Sequence, residues 1–165
     1  MRKNIFSTFL MIFLILFGFN SLFPTNKAFA QTDSKTIVKS EKAKQMLIGK
    51  HKLQLQWLSF WNRKEMGSAE IIEKDGVIFI EGKQTKADDF LEISGTILEI
   101  NEKDFLFNGK ITMRVNYNNE GKSCTREGKM LFRISGQRKF WRLKDMLNPC
   151  DNTTTDYIDV FFKDK

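Results

Sequence analysis

One histidine, His51, stands in the whole sequence, and its two cysteines do not form a C-x-x-C pair. A zinc site built from His and Cys therefore lacks ligands, and the thioredoxin-type redox motif is absent. A Ser-His-Asp arrangement would have to use His51 with Ser59, Ser68, Ser94, Ser123 or Ser135, none of which sits in a G-x-S-x-G elbow. No catalytic residue, metal ligand or cofactor is assigned, and His51 reads as a surface or rim histidine. Heptads are lacking as well, which excludes a coiled coil. Of the 135 residues that follow position 30, 45 are Val, Ile, Leu, Met, Phe, Trp or Tyr. That fraction excludes intrinsic disorder and collagen and suffices for one core without a metal.

Acidic residues are missing from the first 30 positions, which hold three of the 27 basic residues and 7 of the 16 Phe. Arg2 and Lys3 precede an almost unbroken apolar run from Ile5 to Phe19, Pro24 breaks it, and Ala28-Phe29-Ala30 places small residues where a signal peptidase cleaves. The expectation is a cleaved export signal over 1–30, a flexible lead-in over 31–40 and a single domain over 41–165. A retained anchor is the alternative, since about 20 apolar residues span a bilayer. Lipidation is not expected, because no cysteine follows the run. The expected product is a soluble periplasmic or secreted protein, bacterial in the style of its signal. Beyond residue 30 the balance is 24 Lys/Arg against 20 Asp/Glu, or +4 instead of the +7 of the whole chain.

In an oxidising compartment an even cysteine count reads as a disulfide, here Cys124–Cys150. Closing this loop contributes about 3.5 kcal/mol on the chain-entropy account.

Ser40 can cap a short helix that ends at Gly49, and everything after it reads as strand. His51 to Trp61 alternates apolar and polar residues. Further candidates are 68–74, 77–84, 90–94, 96–101, 105–108, 110–117, 129–135, 140–143 and 156–162, separated by turn residues such as Asp75-Gly76 and Lys103-Asp104. Gly95 and Gly109 lie inside runs and suit bends, which would merge the segments into about eight strands. The pattern predicts an all-β fold: one antiparallel up-and-down barrel of about eight strands preceded by one short helix, with a two-sheet sandwich as the alternative.

A helix ending in Gly49, a first strand carrying Trp57 and a meander of hairpins resemble the lipocalin-like barrels of the calycin group, without their Gly-x-Trp signature. That resemblance implies an interior able to hold a small molecule. The run from Trp141 to Asp151 (WRLKDMLNPCD), followed by Asp156-Tyr157, resembles a segment of uncharacterised exported bacterial proteins and implies no activity.

Such a barrel would place Leu55, Trp57, Phe79, Phe107, Met113, Phe132 and Trp141 around an apolar interior, with Arg138 and Arg142 near its rim to hold an anionic head group. A small apolar or amphipathic ligand is the first expectation. A solid barrel acting through its surface as an inhibitor, adhesin or envelope module is the second, with activity in the loops 118–122 or 148–155. A hydrolase ranks third. The carboxylates Asp88, Asp89, Glu99, Asp145, Asp151, Asp156 and Asp159 could serve one only as a facing pair. The oxygen-rich stretch 148–159 could ligate calcium, but its spacing is not that of an EF-hand. The basic cluster Arg133, Arg138, Lys139, Arg142 and Lys144 splits between two strand faces. That split, the modest charge and the signal argue against nucleic acid.

Overall fold

The alternation read from the sequence is realised as a ring of strands. In the computed structural model, residues 34–60, 62 and 64–163 are described. The chain divides into two units, Met1–Gln31 and Thr32–Lys165. The export-signal expectation falls on the first and lies outside the described residues.

A two-residue strand β1 (Ile37–Val38) and helix α1 (Glu41–Leu47) lead into β2 (Gly49–Leu55) and a one-turn helix α2 (Gln56–Ser59). The remaining strands are β3 (Gly67–Lys74), β4 (Val77–Lys86), β5 (Asp89–Ile100), β6 (Asp104–Arg114), β7 (Cys124–Arg133), β8 (Phe140–Leu143) and β9 (Ile158–Phe161). From β2 to β9 each strand pairs antiparallel with the next, and β9 returns to β2 through Leu53↔Val160, so eight strands close a barrel and leave no sheet to form a sandwich. Closure removes the open edges that would otherwise invite aggregation.

The two in-run glycines do merge neighbouring segments. Gly95 in β5 lies opposite Gly109 in β6, and a Cβ at Gly109 would stand 2.3 Å from Ser94 O and 2.6 Å from a ring atom of Phe107. Glycine is needed there because the two backbones approach each other and the Phe107 ring lies over them.

Ser40 caps α1 through its hydroxyl, which accepts from Ala43 N–H at 3.2 Å, and Gly49 (φ +123°) turns the chain out of the helix. Ala43 and Leu47 are buried, so α1 plugs one end of the barrel. The lead-in is tied down from Thr36 onward: its hydroxyl donates to Ile97 O, and β1 adds in parallel to Glu99 and Ile100 of β5. Two other expectations need correction. The first strand stops at Leu55, where Gln84 Oε1 takes the Leu55 N–H at 2.6 Å and the chain turns into α2, so Trp57 is not a strand residue. His51 is 3% exposed, with Nδ1 2.8 Å from Phe161 O and Nε2 2.7 Å from Leu47 O. It joins the helical plug to the last strand instead of sitting at the surface.

Aromatic rings occupy the interior. Phe105 stacks on Phe132 at 5.0 Å between centroids, Phe107 meets Phe132 edge-on at 6.2 Å, and Trp141 meets Phe105 at 5.9 Å. These side chains and the Ile, Leu and Val residues around them are almost completely shielded from solvent.

Candidate functional site

At the end opposite α1 the connections β2–β3, β4–β5, β6–β7 and β8–β9 come together, and the interior becomes polar. Alternation along β7 turns Cys124 and Arg126 inward together. Arg126 Nη2 donates to Asp156 Oδ2 at 2.8 Å and Nη1 to Asp145 O at 3.2 Å, while Nε has no partner. Trp57 Nε1 donates to the other carboxylate oxygen of Asp156 at 3.3 Å. Burial pushes the Asp156 carboxyl above its ordinary value, against the pull of Arg126. Gln56 clamps α2 to the last strand, its amide donating to Thr155 O and accepting from Tyr157 N–H, both at 2.6 Å. Tyr117 OH donates to Trp57 O at 2.9 Å, and the two rings meet edge-on.

The Cys124–Cys150 disulfide is formed, with the Cα atoms 5.9 Å apart. It ties the β8–β9 hairpin to the start of β7. Asn148 organises the hairpin tip, its Oδ1 accepting from Cys150 N–H at 2.9 Å. A recess of about 10 Å³ lies between the two loops singled out in the sequence, lined by Met113, Asn118, Cys124, Asn148 and Asp156 among others. That is the space of one water molecule.

The oxygen-rich stretch does not turn its ligands toward a common centre. Asp151 accepts from the Thr153 and Thr154 N–H groups at 2.8 Å and from the Thr154 hydroxyl, which hold its carboxyl down at about 2. Asp156 points inward to Arg126. No cluster of three or more His, Cys, Asp or Glu suited to a metal occurs among the described residues.

Of the nine residues expected around a ligand, Leu55 and Met113 are buried in the core, and the other seven are scattered. Phe107, Phe132 and Trp141 are interior but packed against other rings, Phe107 on Phe132 and Trp141 on Phe105. Trp57 covers the loop-bearing end. Phe79 faces outward, because the inward positions of β4 are Ile78 and Ile80. Beside Ile72 it lines an open groove of about 610 Å³ on the outer face of β2–β5, together with Glu70, Glu81 and Lys83. Arg138 lies at the opposite end, over the Phe140 ring. Arg142 is on the outer face of β8, bonded to both oxygens of Asp159 at 2.7 and 2.6 Å and stacked on Tyr157 at 4.1 Å. Burial raises the Asp159 carboxyl, opposed by Arg142. Arg142 is thus held in an ion pair on the outer face, while Arg138 lies at the plugged end.

Sequence reasoning did not single out Arg126, Gln56 or Tyr117. Arg126 is two residues beyond Cys124 and so shares its strand face, but the expected strand, 129–135, began too late to include either residue.

These features define a small closed up-and-down β-barrel with a helical plug at one end and a disulfide-tied loop cluster at the other. The chain belongs to the PM1083 family, whose model matches residues 35–162. It is similar to "Uncharacterized protein PM1083" of Pasteurella multocida (strain Pm70), with 41% identity over 133 residues that cover 81% of this chain and 84% of the relative. No solved structure matches it.

Proposed function

We propose that the protein is exported and acts as a solid barrel that binds a protein partner through its loop-bearing end. The observation that carries this reading is a contrast between inside and outside. Interior aromatics close on one another, while Phe60, Tyr117 and Leu147 stand 63%, 58% and 48% exposed on three separate connections at that end. Phe60 also holds a left-handed backbone (φ 41°), so a bulky residue is both strained and solvated there. Such a combination costs stability and accords with a contact surface. Export is supported by the charged, apolar and small-residue pattern of positions 1–30 and is compatible with the disulfide. Among the described residues no helix is long and apolar enough to cross a membrane.

Chemical crosslinking in the producing cell, read by mass spectrometry, tests this. The wild type should give a defined adduct, the triple variant F60S/Y117S/L147S should lose it while remaining folded by circular dichroism, and I72S should retain it. An adduct unchanged in the triple variant overturns the reading.

A second reading, a small amphipathic ligand, is favoured by the groove at Phe79 and Ile72, since a few hundred Å³ is the volume of small-molecule sites. Fatty-acid binding abolished by F79S and unaffected by the triple variant would support it over the first.

A further inference from the structure

β7 pairs with β6 along its whole length, but β8 reaches only Phe132 and Arg133, followed by one bond from Lys144 N–H to Leu131 O. Past that point the β8–β9 hairpin runs on as its own ladder. Leu147 bridges Thr155, Asp156 N–H donates to Met146 O, and Asn148 N–H donates to Thr154 O. From Cys124 to Met130 the barrel wall is therefore closed by side chains, namely Arg126 and the disulfide.

The disulfide is asymmetric toward solvent: Cys124 is 2% exposed, whereas Cys150 lies exposed at the hairpin tip. Attack by a thiolate is therefore expected from the Cys150 side, with Cys124 as the sulfur displaced. Asn148 Oδ1 stands 3.2 Å from Cys124 Sγ, placed to accept the S–H that reduction would create. The hairpin keeps other anchors, Arg126 to Asp156 and Gln56 to Thr155 and Tyr157, so losing the bond frees its tip and leaves its base attached.

We propose that Cys124–Cys150 is a thiol-exchange site whose substrate is a dithiol reductant, and that its opening frees the tip of the β8–β9 hairpin from the start of β7. One thiolate of the dithiol attacks Cys150 Sγ, the S–S bond breaks, and the electron pair leaves on Cys124 Sγ, which takes a proton. The second thiol of the reductant then displaces Cys150 from the mixed disulfide, so the dithiol becomes a disulfide and the protein gains two thiols. This inference is independent of the partner-binding reading.

Dithiothreitol without denaturant, followed by alkylation, mass spectrometry and hydrogen exchange, tests it. Both cysteines should become alkylated in the folded protein. Exchange at the Asn148 and Cys150 amides should rise by about tenfold or more, while Phe107 and Ile111 stay protected. The double variant C124S/C150S should show the same local exchange without reductant. The proposal is overturned if the bond resists the dithiol until the barrel unfolds, if exchange at the tip is unchanged, or if reduction or the double substitution unfolds the whole barrel.

Discussion

Arg126 Nη2 and Asp156 Oδ2 lie 2.8 Å apart, and both side chains are shut away from solvent beneath α2. Each needs the other, since a buried charge left alone costs about 3–5 kcal/mol. Urea unfolding should show R126M and D156L each losing roughly that much, with the double variant recovering most of the loss as an apolar pair. Additive losses would mean that the two residues act separately.

Phe107 and Phe79 test which face is core. Phe107 is fully buried among rings, so F107A should cost about 3–5 kcal/mol through lost contacts and the cavity left behind. Phe79 is on the outer face, and F79A should cost under about 1 kcal/mol, as surface changes do. Equal losses would contradict the assignment of faces.

At Gly109 the demand is spatial. G109A would place a methyl group 2.3 Å from Ser94 O and force β5 and β6 apart, costing about 1–3 kcal/mol. Gly136 has open space around it but a φ of +61°, so G136A should cost about 1 kcal/mol from backbone strain alone. Thermal unfolding of both variants distinguishes crowding from strain, and a neutral G109A would contradict the close approach.

His51 predicts a pH dependence. Burial pushes its imidazole below the ordinary 6.5, with Lys163 acting in the same direction, against the Phe161 and Leu47 carbonyls that pull it up. The unfolded chain therefore takes the proton first as pH falls. The stability due to this group is present above about pH 6.5 and lost below it. Since the sequence has no other histidine, the wild type should lose more stability than H51Q between pH 7.5 and pH 5 in urea unfolding. Parallel profiles would contradict the assignment.

Period-two alternation and the turn residues carried the barrel in the sequence, and Gly95 and Gly109 were legible as positions where neighbouring segments merge, although what they supply is a close approach of two strands. Two cysteines with no competing partner gave the disulfide. Trp57 was misplaced because alternation continues past Leu55, and the force that ends the strand there is a tertiary bond from Gln84, 29 residues away. His51 looked like a rim residue because its flanking lysines are exposed; its two carbonyl partners come from α1 and β9 and have no local sign. The scattering of Trp57, Phe79, Arg138 and Arg142 has a common cause. A list of aromatic and basic residues does not say which strand face each takes, and one residue of register moves a side chain from inside to outside.

The chain's own side chains fill the barrel, which under the proposed function leaves its outer surface to do the work. Methyl resonances of Ile71, Ile80, Ile111, Leu143 and Val160, all shut inside the barrel, report on this directly when a fatty acid is titrated to saturation. With a filled barrel, no saturable shift is expected at these five positions. A saturable shift at them, reached at one ligand per barrel, would contradict it.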